Sequence, residues 1–333
     1  MGIKVIVLII SLFLTRASFF ELSGPYFGQK PPGKEPALFA PGIVNFGLFT
    51  RDVAMTPDGK EFYFCVGFPG FSRSAILEMH MIQGKWTAPE VAPFSSDPRW
   101  RYLEPCISPD GKEFFFTSDR PANPSENKAD PFGIWIMKRL ENGWGMPRRL
   151  DDFINGPTEA FFPSVTQDGT LYFCRWGDDK HGTIWRARRG ANGYLLPEKL
   201  PKEVNSGENR TNAFVSPDES YVILPLFGRE DSLGGSDYYI VFRRPNDTWY
   251  DPVNLGPVIN TPSNGEISAF VSRDSRHLFF MSARIRRDLF SPGETLTIKK
   301  LKMLADQPGA NGDAAIYWVD AKIIEELRPN KMK

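Results

Sequence analysis

SPDGKEFFFTSDR, residues 108 to 120, reads as a strand end, a tight turn at Pro109-Asp110-Gly111 and a second strand that is almost all aromatic. Related stretches recur along the chain: TPDGKEFYFCV from Thr56, TQDGTLYFCRW from Thr166, SPDESYVILPL from Ser216 and SRDSRHLFFMSAR from Ser272. The acidic residue of the turn falls at Asp58, Asp110, Asp168, Asp218 and Asp274, with spacings of 110−58 = 52, 168−110 = 58, 218−168 = 50 and 274−218 = 56. Repeats of about 50 residues that hold several strands each are propeller blades.

The rest of each unit repeats as well. After the turn strand comes a variable loop and a short apolar strand: SAILEMHMI, FGIWIMKRL, GTIWRARR, SDYYIVFRR and DAAIYWVDA. Then follows an aromatic-to-proline segment, in four copies: GKWTAPEVAPF, NGWGMPRRLDDFIN, NGYLLPEKLPKEVN and DTWYDPVNLGPVIN. Each unit therefore has four strands, A to D from the axis outward. The Pro-Asp-Gly turn joins A to B, and proline is tolerated in D because D is an outer edge. The last unit lacks its D segment, whereas PPGKEPALFAPGIVN, Pro31 to Asn45, resembles one. The expectation is a five-bladed, all-β propeller over residues 46–328, closed by a strand from residues 18–45, with a short tail at 329–333. Six blades would need a degenerate unit.

SPDGKEFFFTSDR followed by an Ile-Trp strand resembles the repeat of the TolB-type, WD-repeat-like or PD-type propellers, and the end IYWVDAKIIEELRP resembles secreted bacterial propellers of that kind. The resemblance covers nearly the whole chain after the leader. It implies a fold; such propellers serve as binding platforms, parts of protein complexes and, in some cases, enzymes. The fourth and fifth copies depart from it, with Pro-Asp-Glu and Arg-Asp-Ser in place of Pro-Asp-Gly.

Composition agrees with a globular chain of 333 residues. It is 41% hydrophobic and 14% aromatic, and 40 basic residues balance 40 acidic ones. A neutral balance gives no electrostatic case for nucleic acid. Lys4, the apolar run Val5–Leu14 and the small residues Thr15 and Ala17 fit a signal peptide over residues 1–17. The expectation is a secreted or periplasmic monomer with no membrane span after cleavage. Cys65, Cys106 and Cys174 form no even framework and read as small buried hydrophobes, with a Cys65–Cys106 bond the less favoured option.

In a propeller the B–C and D–A loops share one face, around the mouth of the axial channel. The D–A loops are expected to carry Asp52, Glu104, Glu159, Glu208 and Glu266, the last three following Asn155, Asn205 and Asn260. Converging carboxylates serve glycoside cleavage or a hard cation such as calcium; repeated in every blade, they are more often structural. The B–C loops are expected to carry Arg120, Arg175, Arg229 and Arg284, suited to a carboxylate or sulfate ligand or to ion pairs with those acids. Departures from the repeat are the better functional candidates: Asp178, Asp179 and His181 in GDDKHG, Glu230 and Asp231 in GREDSLGG, Asp151-Asp152, and the long loop from Ser282 to Asp313. Phe68, Phe71, Trp100, Tyr102 and Trp176 are expected on the ligand-facing loops; Trp86, Trp144, Tyr194 and Trp249 are expected in the core. No paired-histidine metal motif, nucleophile elbow, phosphate loop, dinucleotide fingerprint or sialidase box is present. These features imply a module that binds a glycan, a peptide or an envelope protein. The alternatives are an enzyme acting on acidic glycans, hydrolase or lyase, and a structural part of an envelope complex.

Overall fold

The computed structural model describes residues 22–177, 181–262, 265–284, 293–305, 309 and 312–329. The signal segment, Asp178 and Asp179 lie outside the described residues. Among those described, no helix is long and apolar enough to cross a membrane.

Five antiparallel sheets stand in a ring, the five-bladed propeller expected from the repeat. Blade 1 has strands A Phe49–Met55, B Glu61–Gly67 and C Ser74–Ile82. Blade 2 has A Tyr102–Ile107, B Glu113–Ser118 and C Gly133–Leu140. In blade 3 the three are Ala160–Val165, Leu171–Trp176 and Gly182–Ala187. In blade 4, A is broken into Asn209–Arg210 and Phe214–Val215, ahead of B Tyr221–Phe227 and C Ser236–Phe242. Blade 5 has A Ile267–Val271, B His277–Ser282 and C Ala315–Asp320.

Strand D is split by its proline. In blade 1 it pairs with C through Lys85–Trp86 and again through Glu90–Val91, on either side of Pro89. Blade 2 repeats this with Gly143–Trp144 and Arg148–Arg149 around Pro147. The D strand of blade 5 comes from the other end of the chain: Ala37–Leu38 pairs with Trp318 and Tyr317.

Two side-chain devices explain why the repeat has the letters it has. The first is in the A–B turn. Ser108 Oγ donates to Asp110 Oδ1 at 2.6 Å, and that oxygen accepts the Lys112 N–H at 3.1 Å. Ser108 Oγ also accepts the Glu113 N–H at 2.9 Å. The residue after the aspartate sits in the left-handed region in every blade: Gly59, Gly111, Gly169, Glu219 and Ser275. Glycine suits that conformation; Glu219 and Ser275 occupy it at a cost.

The second device is a clasp at the end of strand D. The Asn155 side chain accepts the Ile134 N–H at 2.7 Å and donates to Leu150 O at 2.8 Å, fastening D to C. Asn45, Asn205 and Asn260 do the same with Ile316, Ile184 and Tyr238. In blade 1 the clasp is Ser95, which accepts from Ile76 N and donates to Ile76 O.

The core lies between blades. Aromatic side chains meet across interfaces, as Tyr63 of blade 1 does with Phe114 of blade 2, edge-on at 4.8 Å, and Tyr238 of blade 4 with Phe280 of blade 5. Because blades fan outward, their D strands diverge, and the wedge between them needs bulky filling. Between blades 5 and 1 the filling comes from the segment before the propeller. Tyr26 packs on His277 and Trp318, while Phe27 stands edge-on to Phe62 at 5.1 Å and to Trp86 at 4.7 Å. The long loop of blade 5 contains a helix, Ile298–Ala305, that the sequence reading treated as a loop.

Candidate functional site

Asp52 and Glu104 are not on the D–A loops. Each lies within strand A, at a bulge where the register with strand B shifts. A bulge adds one residue to a strand and re-aims its side chain. The five equivalent positions are Asp52, Glu104, Phe162, Asn212 and Ser268, all with positive φ. They stand six residues before the turn aspartates: 58−52, 110−104, 168−162, 218−212 and 274−268. That constant offset was the signal that groups them; the acids Glu159, Glu208 and Glu266 do not share it.

These bulges surround the axis. Arg51 reaches across them, with Nε 2.9 Å from Asp52 and Nη2 3.0 Å from both Glu104 Oε1 and Ser268 Oγ. Asn212 Nδ2 donates to Ser268 Oγ at 3.1 Å, and Glu104 Oε2 accepts the Phe162 N–H at 2.7 Å. All of these side chains are buried. Burial pushes the Glu104 carboxyl up to about 7, against the pull of Arg51 and with help from Asp52. Burial weakens the Arg51 charge, but Asp52 and Glu104 more than offset this and hold it protonated. Below this network the axis is filled by Val53, Ile107, Phe162, Val215 and Phe270, which leave about 30 Å³. Among the described residues the axis is thus packed and salt-bridged around this network.

Glu159, Glu208 and Glu266 do lie in the D–A loops, just ahead of strand A. Glu266 is buried and accepts from Thr261 and Ser282 at 2.6 and 3.1 Å. Glu208 is exposed and Glu159 partly so. His181 is exposed at the end of its loop, where its carbonyl accepts the Gly177 N–H. Among the described residues no three His, Cys, Asp or Glu side chains are grouped to hold a metal ion. The three cysteines are free, so the Cys65–Cys106 option is not realised.

The arginines behave as a repeat. Arg120, Arg175, Arg229 and Arg284 each lie over a ring of strand C in their own blade: Trp135 at 4.7 Å, Trp185 at 5.1 Å, Tyr239 at 4.8 Å and Tyr317 at 4.6 Å. Arg175 and Arg284 also donate to Ile154 O and Ile259 O. Arg229 and Arg284 donate to the hydroxyls of Ser206 and Ser282 as well, and among the described residues none of the four forms an ion pair with an acid of the D–A loops. Among the described residues, Arg229 alone of the four pairs with a carboxylate, Asp231 at 2.9 Å. Phe68 is exposed, Phe71 packs on Phe49, and Trp176 stacks on Phe161.

A cavity of about 560 Å³ lies off the axis, in the wedge between blades 1 and 2. Its walls are Tyr63, Phe94, Trp100, Tyr102, Met137 and Trp144. It runs the height of the blades. At the turn end stand Glu61, Glu78 and His80; at the loop end stand Asp97, Arg99 and Arg120. A six-residue strand such as Glu113–Ser118 is about 20 Å long, so the groove suits an extended ligand. Burial would raise the Glu61 carboxyl, but Arg139 and Tyr63 hold it below the usual range. Arg139 itself lies over Trp144 at 4.6 Å. His80 is held more basic than usual by its hydrogen bond to Glu78, 3.5 Å away. Asp97 is tied to Arg99 by a forked pair at 2.7 to 3.1 Å. Among the described residues the Arg120 guanidinium forms no ion pair within 4 Å, but its charge adds to that of Arg99 in holding the Asp97 carboxyl below the usual range.

Trp100 and Tyr102 thus reach a cavity, as expected of ligand-facing residues, though Tyr102 lies in strand A and both are mostly buried. Trp144, assigned to the core, is the correction: it is partly buried and forms the outer wall, with its Nε1 donating to Tyr63 Oη at 2.9 Å. Beyond it Met146 is 89% exposed. Two signals marked this place in the sequence: Ser95 replaces the clasp asparagine, and the link after it, SDPRWR, carries a tryptophan and two arginines where the links of the other blades carry neither residue type.

No family model matches the chain, and no curated protein matches it. Similar solved structures include TolB from Acinetobacter baumannii, 17% identical with a TM-score of 0.45, over 70% of this chain and 48% of that one. The chain thus spans about half the length of that structure. They also include a putative TolB from Agrobacterium tumefaciens, 14% identical with a TM-score of 0.48, over 81% of this chain and 90% of that one. A thermostable family-43 glycoside hydrolase is 12% identical with a TM-score of 0.46, over 83% and 90%. Similarity at this level says nothing of ligand or activity.

Proposed function

We propose that this chain is a secreted or periplasmic binding module whose ligand lies in the groove between blades 1 and 2. The observation that carries this reading is the groove itself: about 560 Å³ of aromatic-walled space, against about 30 Å³ among the described residues at the axis. Cavities of this size and character are where proteins hold small or chain-like ligands. An enzyme reading has less support. The acids best placed for catalysis by sequence, Glu159, Glu208 and Glu266, line none of this groove, and Glu104, whose carboxyl is raised towards neutrality, is sealed in the axial network. The export half of the proposal rests on Lys4 and the apolar run Val5–Leu14.

Trp100 and Trp144 make the groove observable. Titration of the intact protein with linear peptides and with neutral and acidic oligosaccharides should change tryptophan fluorescence for at least one class. Met146→Arg, a change at an exposed rim position, should weaken that response at least about tenfold. If no class binds, or if Met146→Arg binds as the parent does, the groove is not the site. N-terminal sequencing of protein recovered outside the cytoplasm tests the leader, with Ser18 expected first.

A further inference from the structure

The molecule contains a worked example of how such a wedge is filled. Between blades 5 and 1 the occupant is an extended segment of the chain itself. Ser23 forms a bridge with Lys85, the outer strand of blade 1. Trp86 donates its backbone N–H to Leu22 O at 2.8 Å and its indole N–H to Gly24 O at 2.9 Å. Tyr26 and Phe27 then turn, both with positive φ, and drive their rings into the wedge. The phenol oxygen of Tyr26 reaches Asp274 at 3.1 Å.

The wedge between blades 1 and 2 repeats the receiving half of this arrangement. Phe114 stands where Phe62 does, four residues after the turn aspartate (114−110 and 62−58). Trp144 stands where Trp86 does, the second residue of the first half of strand D, paired with Arg139 as Trp86 is paired with Met81. The donating half is missing. Gly143–Trp144 is the edge of its sheet, and Met146 and Leu140 beside it are exposed. Exposed apolar side chains bordering an open sheet edge are the features that strand addition by a partner would cover. At the loop end, Arg120 offers a cation that forms no ion pair within 4 Å among the described residues, while the nearby Asp97 is already forked to Arg99.

We propose that this groove, on the binding-module reading above, takes an extended segment of a partner protein that adds to the Gly143–Trp144 edge. The segment inserts an aromatic side chain between Trp144, Tyr63 and Phe94, and places an acidic residue at the Arg120 end. Backbone pairing gives affinity without regard to sequence, and the aromatic and acidic positions give selectivity.

Selection of random linear dodecapeptides displayed on phage against the intact protein should enrich sequences with an aromatic residue and an acidic one at a fixed spacing. A synthetic copy of a selected sequence should bind by calorimetry, and alanine at its aromatic position should weaken it at least about tenfold. Trp144→Ala and Met146→Arg should each do the same from the protein side. The rim position of Met146 keeps the test valid should Trp144→Ala unfold the chain. Arg120→Gln should weaken it about three- to tenfold and make it less sensitive to salt. An octapeptide with the sequence of residues 22–29 is a second probe, expected to bind in the same Trp144-dependent way. The proposal is overturned if no aromatic consensus emerges, or if selected peptides bind Met146→Arg as tightly as the parent. It is also overturned if saccharides alone fill the groove, an outcome that leaves the binding-module reading standing.

Discussion

At the scale of single residues, the turn that founds each blade exposes the cost of its variants. Ser275 is exposed, has φ near 57° and holds a place that glycine fills in three other blades. A left-handed non-glycine residue costs about 1–2 kcal/mol, and glycine gives back roughly 0.5–1 kcal/mol in chain entropy. Ser275→Gly should therefore stabilise the protein by about 0.5 kcal/mol, seen as a higher denaturation midpoint with unchanged slope. Glu219 has the same backbone but a different fate. Its carboxylate accepts from Tyr172 at 2.6 Å and pairs with Arg243, so Glu219→Gly should destabilise by about 1–3 kcal/mol. Glu104 makes a prediction in pH. Its carboxyl is raised in the folded state, so folding favours the protonated form. The stability this confers is present below the unfolded value near 4.5 and is lost as pH rises through about 7. Glu104→Gln stays neutral, so its melting temperature relative to the parent should be higher at pH 8 than at pH 5. An equal difference at both would show that Glu104 titrates normally.

At the scale of elements, the clasp asparagines hold the outer strand of each blade. Strand D makes only two short pairings either side of its proline, too few to keep it in place unaided. Asn155→Ala and Asn205→Ala should each cost about 2–3 kcal/mol, by loss of hydrogen bonds that leave buried backbone groups unpaired. Urea denaturation would read this directly, and a cost under about 0.5 kcal/mol would show that strand D is held by packing alone. The asparagines also show what could be read from sequence. They, the turn aspartates and the aromatic B strands recur, so the blade count, strand order and closing strand were legible. Recurrence says nothing of what sits between blades. A bulge leaves no mark in a two-residue period, so the sequence alone places Asp52 and Glu104 on loops. Trp144 was put in the core because it matches Trp86, and nothing local tells that Phe27 fills one wedge and leaves the other open. The helix Ile298–Ala305 was missed because eight residues with exposed Ile298 and Leu301 show too little of a helical period to stand out.

At the scale of the molecule, the ring is sealed by residues from its two ends. Strand C of blade 5 has Ala37–Leu38 as its outer neighbour, and Phe39 sits fully buried between Phe62, Phe279 and Trp318. A chain starting at Phe46 would expose the edge of Ala315–Asp320 and the rings that Tyr26, Phe27 and Phe39 cover. It should aggregate, whereas the intact protein should elute as a monomer in size-exclusion chromatography. The same seam sets an order of events in time. Ala37 and Trp318 are 318−37 = 281 positions apart, so a chain made from its N-terminus has nearly all of its length in hand before the pair can form. Blades 1 to 4 can assemble from neighbouring strands as they emerge, but the first strand made is the last to find its place. Contacts so remote in sequence slow folding. Until that final pairing, the nascent molecule is an open arc with two unprotected ends, and its window of vulnerability lasts as long as its own synthesis.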